Sequence, residues 1–454
     1  MMHIYYNEYG KKHCISATED HPFFNGKTFT KAMDLKIGDK LYRADGVELI
    51  ITDIGYHWKK VESYDIGTES GTFVGSDIKM HNCRTNNSFD INFTEDYFID
   101  LIKETVKNNK IPDNYLLSAA QRDGRGNIAP STIILPTLAM EAKKKTKNNS
   151  EEIVDCFMGI LDTAINDCKD GLIERFNWIA AQSPNSGKFM YKNNTMKGYI
   201  PEEGIRSALK HGTLAIGQIG LAETLQILIG CDQTTKKGME LAKKIEQMFM
   251  DKCDEFKHKY MLNFGNYMTP AENLSYTSFE KFTAKYGLIE NVNAYRNDKG
   301  ELVSRGYFTN SIHVPVWKKI SPFEKIDIES QLTGYSSAGC ITYVELEDDA
   351  RNNQKAVEQI INYAMDKDIP YFAINVPVDY CSKCHYQGVI EGDCCPNCGA
   401  KEYNPDGTLT RVIERLRRVT GYITGSFKVA FNLGKQKETI DRVKHSKYWE
   451  GWNK

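Results

Sequence analysis

The pattern of apolar and polar residues changes along this chain. Before residue 83, short runs alternate apolar and polar side chains between Gly and Asp turns, which predicts a small all-β module. Farther on, apolar residues recur at helical spacing over 219–229, 235–258 and 356–367, and a strand is predicted over 371–376. The sequence therefore predicts a β module followed by a larger α/β part.

Composition limits the cellular compartment and the classes of binding partner that are expected for this chain. The 454 residues carry 58 basic and 60 acidic side chains, so the net charge of −2 indicates no broad affinity for nucleic acid or membranes. No apolar run approaches the ~18 residues of a membrane span, and no signal peptide is expected. Twelve cysteines that include two CxxC pairs favour a reducing cytoplasmic location over a disulfide framework.

The two CxxC pairs have the spacing of a metal site. Cys381 and Cys384 precede Cys395 and Cys398, with ten residues between the pairs. Each CxxC turn presents two thiolates, and two such turns complete a tetrahedral zinc site without an open coordination position. We therefore predict a structural zinc knuckle. The adjacent Cys394 is interpreted as a bystander, although exchange with Cys395 as a ligand stays open.

A different chemistry is indicated by the triplet His81-Asn82-Cys83. An Asn side-chain amide can attack its own backbone carbonyl and cut the chain after Asn82, while His81 donates a proton to the leaving amine. Cys83 supplies a thiol nucleophile that can take over an acyl group. These are the residue types required at the downstream junction of a self-splicing protein.

The upstream segments resemble the sequence blocks of inteins. Thr18 and His21 lie in a TxxH block, which in that family strains and polarises the upstream scissile peptide, and Asp65 lies in a YD-type strand. The resemblance implies a Hint-type β fold for 1–82, with proton transfer by Asp65 and His81. Only seventeen residues precede Thr18, so we expect either a split intein with an N-terminal partner fragment or a truncated reading frame.

The rest of the chain resembles the anaerobic (class III) ribonucleotide reductases. The segments that carry the resemblance are GRGN at 124–127, GTLAIGQIGLAE at 212–223, TPAE at 269–272, FTNSIHVPV at 308–316, RVTGY at 418–422, FNLGKQKE at 431–438 and RVKH at 442–445. The resemblance implies the C-terminal half of a ten-stranded α/β barrel, the glycyl-radical enzyme fold. Its parts are a barrel portion at 83–378, the zinc knuckle at 379–400 and a glycyl-radical domain at 401–454.

That family also implies residue roles. Gly421 would carry a stable radical installed by a radical-SAM activating protein, and only Gly has no side chain to twist a Cα radical from planarity. Cys83, in Cys-Arg-Thr, would become the thiyl radical that attacks a ribonucleoside triphosphate. Asn127, Asn310 and Ser311 are the candidate substrate-binding residues. Formate is the expected reductant, and a homodimer is expected after splicing.

Two further residues are given structural interpretations. His313 is interpreted mainly as core packing, with a place beside Asn310 and Ser311 in the phosphate or base region as the alternative, and Cys340 as a buried strand cysteine. The family's second barrel cysteine would lie before the insertion point, so Cys340 is not taken as its substitute.

Two other functions stay open at this stage. One is a different glycyl-radical enzyme, a lyase or dehydratase, which would not carry the zinc pairs. The other is an autoprocessing domain fused to a zinc-ribbon binding module, which would leave the reductase-like segments between Cys83 and Cys381 unexplained.

Overall fold

The chain divides into two compact units, Met1–Met80 and His81–Lys454. The computed structural model describes residues 2–56 except 9–10, 18–21, 25–28 and 43–47; residues 89–92; and residues 126–452 except 194, 195, 197, 348, 349, 351, 391, 420, 421, 425 and 426. The division between the units falls close to the predicted junction at Asn82.

The first unit is built from antiparallel strands in its described part. The strands are β1 (Met2–Glu8), β2 (Lys11–Ala17), β3 (Pro22–Phe24), β4 (Phe29–Lys31), β5 (Lys40–Tyr42) and β6 (Glu48–Tyr56). Four of them form a sheet in the order β2-β1-β6-β5, while β3 and β4 form a hairpin. Ile4, Leu35, Leu41 and Ile51 form a small apolar core. This agrees with the predicted β module, and the Hint topology itself stays a prediction.

From residue 126 on, the described part of the second unit contains a parallel sheet covered by helices. Strands β7 (Asn127–Ile134), β8 (Thr213–Ile219) and β9 (Asn263–Met268) pair in that order, all parallel. The helices around them are α1 (Leu135–Lys145), α2 (Ile153–Ala180), α3 (Lys188–Lys192), α4 (Ile205–Leu209), α5 (Leu221–Ile229), α6 (Lys236–Tyr260) and α7 (Leu274–Tyr286). All seven residues of β8 are buried, as expected for a central parallel strand.

A second pair of parallel strands continues this arrangement. After the hairpin β10 (Ala294–Arg296) and β11 (Leu302–Ser304), helix α8 (Pro322–Thr333) leads to β12 (Thr342–Glu345). Helix α9 (Gln354–Asp366) then crosses to β13 (Phe372–Asn375), which pairs with β12 in parallel. The Ala338 amide donates to Asn266 O at 2.9 Å, so the chain entering β12 lies against β9.

The C-terminal region forms an antiparallel sheet and two helices. Strands β14 (Val378–Cys381), β15 (Gln387–Gly388), β16 (Ile413–Val419) and β17 (Tyr422–Thr424) are ordered β15-β14-β16-β17. Helices α10 (Phe427–Ala430) and α11 (Leu433–Asp441) follow. The described part of the second unit is therefore mixed α/β.

The helices and the strand predicted from periodicity are present, with boundaries that differ by at most two residues. The helix predicted from residue 219 begins at Leu221, because Ile219 still belongs to β8 and is fully buried. Gly220 separates the strand from the helix with a φ of 78°, a left-handed conformation that favours glycine. None of the helices in the described part combines the length and apolar character that a membrane crossing requires.

A buried carboxyl group connects helix α6 to the central sheet. Glu246 is fully buried, and its two oxygens accept hydrogen bonds from Gln218 Nε2 at 2.7 Å and Asn266 Nδ2 at 2.9 Å. Burial raises the pKa of Glu246 to about 7, and these two hydrogen bonds only partly oppose it. The folded protein therefore retains a proton there that the unfolded chain releases near pH 4.5.

We expect Glu246→Gln to stabilise the protein at alkaline pH. As pH rises from 4.5 to about 7, the unfolded chain ionises Glu246 while the folded protein does not. This lowers the unfolding free energy by up to about 3 kcal/mol, at 1.36 kcal/mol per pKa unit. Urea unfolding midpoints should thus be higher for the variant at pH 8 and similar to the wild type at pH 4.5.

Glu240→Gln, at an exposed position on the same helix, is the matched control and should show no such pH dependence. An equal shift of the Glu246→Gln midpoint at both pH values would contradict the assigned ionisation.

Candidate functional site

The predicted site residues fall into two groups. The residues assigned to splicing and radical chemistry lie outside the described residues: Thr18, His21, Asp65, His81, Asn82, Cys83 and Gly421. Their roles stay predictions. The four zinc-knuckle cysteines and the three candidate substrate-binding residues are described, and so are the side chains that surround the strands next to Gly421.

The four predicted cysteines lie together at one end of β14. All four sulfur atoms of Cys381, Cys384, Cys395 and Cys398 are within 4.8 Å of one another. The Sγ atoms of Cys381 and Cys398 are 3.7 Å apart, and those of Cys384 and Cys395 are 3.5 Å apart. A tetrahedral site with Zn–S bonds of about 2.3 Å requires sulfur separations of about 3.8 Å. The cluster could therefore bind a metal ion such as zinc, and the exposed Cys394 lies outside it.

A buried arginine supports the sheet beside this cluster. Arg415 on β16 donates to Glu402 Oε1 at 2.9 Å, to Asp379 Oδ2 at 3.2 Å and to the Ile390 carbonyl at 2.8 Å. Burial opposes ionisation of Glu402, but Arg415 and Lys428 outweigh it and lower the pKa of that carboxyl group. Sequence reasoning missed this network, although charged residues inside an otherwise strand-like segment were a signal for it.

Strands β16 and β17 flank Gly421. Val419 pairs with Tyr422, and Thr420 and Gly421 lie between them in sequence. On β16, just before Val419, the carbonyl of Arg418 accepts a hydrogen bond from Arg442 Nη1 at 2.7 Å. Arg442, in the RVKH segment, therefore fixes the strand that leads into Gly421.

Arg442 belongs to a buried ionic network. Its Nη1 is 3.2 Å from Glu345 Oε1 on β12, and its Nη2 donates to Glu438 Oε1 on α11 at 3.1 Å. Glu438 also pairs with Lys435, and both side chains are buried. Burial alone would raise the pKa of Glu438, but Lys435 and Arg442 outweigh it and lower that pKa. The carboxylate is thus held ionised inside the protein.

Asn310 connects this network to the central sheet. Its Nδ2 lies 3.4 Å from Glu438 Oε2, and its Oδ1 accepts a hydrogen bond from the Ala271 amide at 3.1 Å. The next residue, Ser311, is fully buried, has a φ of 43°, and places its Oγ 3.4 Å from Met268 Sδ. Both residues lie where β8 and β9 end, because the Gly220 amide donates to Thr309 O.

Asn127 lies at the opposite end of the sheet. It begins β7 and pairs with Thr213, the first residue of β8, and its Nδ2 donates to Ala338 O at 2.8 Å. At about 3.3 Å per residue, a seven-residue strand separates these ends by roughly 23 Å. The structure therefore groups Asn310 with Ser311 but does not bring Asn127 next to them.

His313 is buried, as expected, but its surroundings are ionic. Its Nδ1 is 3.2 Å from Glu329 Oε2, and Glu329 also pairs with Lys325. Burial disfavours the carboxylate, but Lys325 and His313 outweigh this and lower the pKa of Glu329 well below its usual range. His313 is therefore a buried residue of the core, as predicted, and its partner there is the carboxylate of Glu329. A cavity of about 40 Å³, lined among others by Asn310, Glu438 and Arg442, lies beside His313 and is large enough for water.

Comparison with known proteins identifies the family. A family model described as anaerobic ribonucleoside-triphosphate reductase matches residues 71–445. The match begins before Cys83, so it overlaps the end of the predicted intein segment. It also contains the described cysteine cluster, the Arg442 network and Asn310.

Curated relatives and a solved structure agree with this match. The anaerobic ribonucleoside-triphosphate reductase of Enterobacteria phage T4 is 32% identical over 330 residues, covering 71% of this chain and 49% of the phage protein. That of Escherichia coli (strain K12) is 29% identical over 336 residues, covering 71% and 43%. A solved anaerobic ribonucleotide reductase shares the fold with a TM-score of 0.51 at 19% identity, covering 70% of this chain and 45% of its own.

The chain thus spans about half the length of the curated relatives it matches. The match to the family model, which covers most of the sequence, decides the assignment. This chain belongs to the anaerobic ribonucleoside-triphosphate reductase family.

Proposed function

We propose that the reductase part of this chain converts ribonucleoside triphosphates to deoxyribonucleotides by glycyl and thiyl radical chemistry, after joining to an N-terminal part. The observation that carries the proposal is the family match over 71–445, which includes Cys83 and Gly421. The strands that flank Gly421 and the Arg442 network give this proposal structural support.

The chemistry assigns one step to each radical position. A radical-SAM activating protein removes a hydrogen atom from the Gly421 Cα, and this radical then takes the thiol hydrogen of Cys83. The thiyl radical removes the 3′ hydrogen of the substrate, and the 2′ hydroxyl leaves as water. Formate, oxidised to carbon dioxide, supplies the two electrons. The barrel, of which this chain forms the C-terminal half, and a homodimeric assembly are parts of the same proposal.

Asn310 and Ser311 are proposed to contact the substrate where the parallel strands end. Asn310 is held by the Ala271 amide and Glu438, so its orientation is fixed before a ligand binds. Asn127, which begins β7 at the other end of the sheet, stays a separate candidate.

We also propose that the cysteine cluster holds structural zinc. The donor set is four cysteine sulfur atoms within 4.8 Å of one another. A tetrahedral site that used all four would leave no coordination position for a substrate. Cys381 pairs with Ile413, the first residue of β16, so a bound metal would fix the strand that leads to Gly421.

Residues 1–82 are proposed to act as the C-terminal part of an intein that splices onto an N-terminal reductase fragment. The proposal rests on Thr18, His21, Asp65 and the triplet ending at Cys83. The all-antiparallel strands of the first unit are compatible with it. A cytoplasmic location belongs to the same proposal.

The two alternatives fit the observations less well. A glycyl-radical lyase or dehydratase disagrees with the reductase family match. A fusion of an autoprocessing domain to a zinc-ribbon module leaves that match, which covers the region between the two, without explanation.

Gly421→Ala should abolish both the radical and the product. The spliced enzyme, activated anaerobically, is expected to show a glycyl EPR doublet and to form deoxynucleotide, and alanine at 421 should remove both signals. Cys83→Ser should retain the doublet but lose at least ~10³-fold in product formation, because the serine O–H bond is too strong to act as the relay.

Gly334→Ala is the matched control, since a Cβ there meets no neighbouring atom and φ is −64°. A doublet without any nucleotide reduction in the wild type would instead favour the lyase alternative.

Zinc should be retained only with the four cluster cysteines intact. Elemental analysis is expected to find about one zinc per chain in the wild type and in Cys394→Ser, and much less in Cys384→Ser. Loss of the metal should also reduce the glycyl signal, because β16 loses the support at Cys381. Full zinc content in Cys384→Ser would exclude this ligand set.

Co-expression with an N-terminal reductase fragment should yield a ligated product. Intact mass is expected to show residues 83–454 joined to the partner, and Asn82→Ala should prevent release of the intein. Asn87→Ala, on the other side of the junction, should splice normally. Recovery of the unchanged 454-residue chain beside a functional partner would rule out a split intein.

A further inference from the structure

The short segment 89–92 is bound to the amino ends of the central strands. Asp90 Oδ2 lies 2.7 Å from His211 Nδ1, just before β8. Asp90 Oδ1 accepts hydrogen bonds from Asn263 Nδ2 at 2.8 Å and from the Asn92 amide at 2.9 Å. One buried carboxylate therefore contacts β9, the turn before β8 and its own segment.

The neighbouring residues of the segment reinforce this attachment. The Ile91 amide donates to Asn263 Oδ1 at 2.9 Å. Asn92 Nδ2 donates to the carbonyls of Lys210 at 3.0 Å and Met261 at 3.1 Å, which precede β8 and β9. Both strands thus begin against the same four residues.

A hydrogen bond and a cation–π contact from Lys257 complete the attachment at Phe89. Lys257, a buried lysine of α6, donates to the Phe89 carbonyl, and its Nζ lies 3.8 Å from the centre of the Phe89 ring. The segment is therefore fixed from one side by α6 and from the other by the strand ends.

The charge on Asp90 matters for this attachment. Its side chain is only 6% exposed, and that of His211 is 18% exposed. Burial opposes ionisation of Asp90, but the hydrogen bonds from His211, Asn263 and the Asn92 amide outweigh it and lower the pKa of the carboxyl group. A neutral amide at position 90 would keep the shape but weaken three charge-assisted hydrogen bonds.

The attachment lies a defined length of chain from Cys83. Cys83 precedes Asp90 by seven residues, which extend at most about 25 Å. Strand β8 has seven residues and is roughly 23 Å long. A thiol tethered at the amino ends of the strands can therefore reach their carboxyl ends, where Asn310 and Ser311 lie, but not much farther.

We propose that Asp90, held by His211 and Asn263, is a positioning residue for Cys83. It fixes the downstream base of the chain segment that carries the thiol, and thereby the distance over which the thiol reaches the substrate. This inference rests on the radical function proposed above for Cys83 and Gly421.

The attachment itself is tested on the 454-residue chain by hydrogen exchange with mass spectrometry. In Asp90→Asn, the protection factors of peptides that contain the Ile91 and Asn92 amides should fall at least tenfold. The amides in the core of β8 should keep their protection. Asp254→Asn, which removes an exposed Asp–His pair with His258, is the matched control and should leave these amides unchanged. Unchanged protection in Asp90→Asn would overturn the proposal.

The positioning role is tested on the spliced, activated enzyme. Asp90→Asn should form the same glycyl doublet as the wild type but show a kcat at least tenfold lower, with KM changed less than twofold. Asp90→Glu, which restores the negative charge, should recover part of kcat, and Asp254→Asn should equal the wild type.

The outcomes separate this inference from the proposed function. A wild-type enzyme without doublet or product would overturn the proposed function and the role of Asp90 with it. An active wild type with an unchanged kcat in Asp90→Asn would overturn the positioning role alone. Loss of the doublet in Asp90→Asn would also overturn it, since general damage would then explain the lower rate.

Discussion

The buried ionic network around Arg442 is the constraint on which the C-terminal half of the second unit depends. An unpaired charge inside a protein is very costly, so Arg442, Glu345, Glu438 and Lys435 are tolerated only together. Glu345 lies on β12 and Glu438 on α11, so Arg442 joins the parallel strands to the C-terminal helix. Because Arg442 also binds the carbonyl of Arg418, the same network holds the end of β16.

Strand β16 is therefore supported at both ends by different chemistry. Its first residue, Ile413, pairs with Cys381 of the cysteine cluster, and its other end is held through Arg418. Between these ends, Arg415 forms ion pairs with Asp379 and Glu402 beside the cysteine cluster. The described residues of this strand are thus restrained on both sides, as the hydrogen-atom transfer proposed for Gly421 would require of the strand that precedes it.

Sequence patterns predicted the contacts between residues that are close in the chain. Contacts between residues far apart in the chain could be found only from the structure. The four cysteines could be found from sequence because each CxxC turn brings two ligands together and the pairs are close. The pair Asn310–Glu438 joins residues 128 positions apart, and no spacing rule could reveal it. Likewise, resemblance named both Asn127 and Asn310, but only the strand register shows that they lie at opposite ends of the sheet. Ile219 was assigned to a helix because periodicity alone does not separate a buried strand from the helix that follows it.

Asp90 bears on how one cysteine could serve two reactions. Acyl transfer at a splice junction needs Cys83 to move between carbonyl groups, whereas a thiyl radical needs a narrow range of positions. Splicing as proposed would remove residues 1–82 and change only what precedes Cys83, so the contacts of Asp90 with His211 and Asn263 would be kept in the spliced protein. Cys83 would then lie seven residues from the same attachment in both proposed reactions. The attachment would thus limit the reach of the thiol in the radical reaction without depending on the segment that splicing removes.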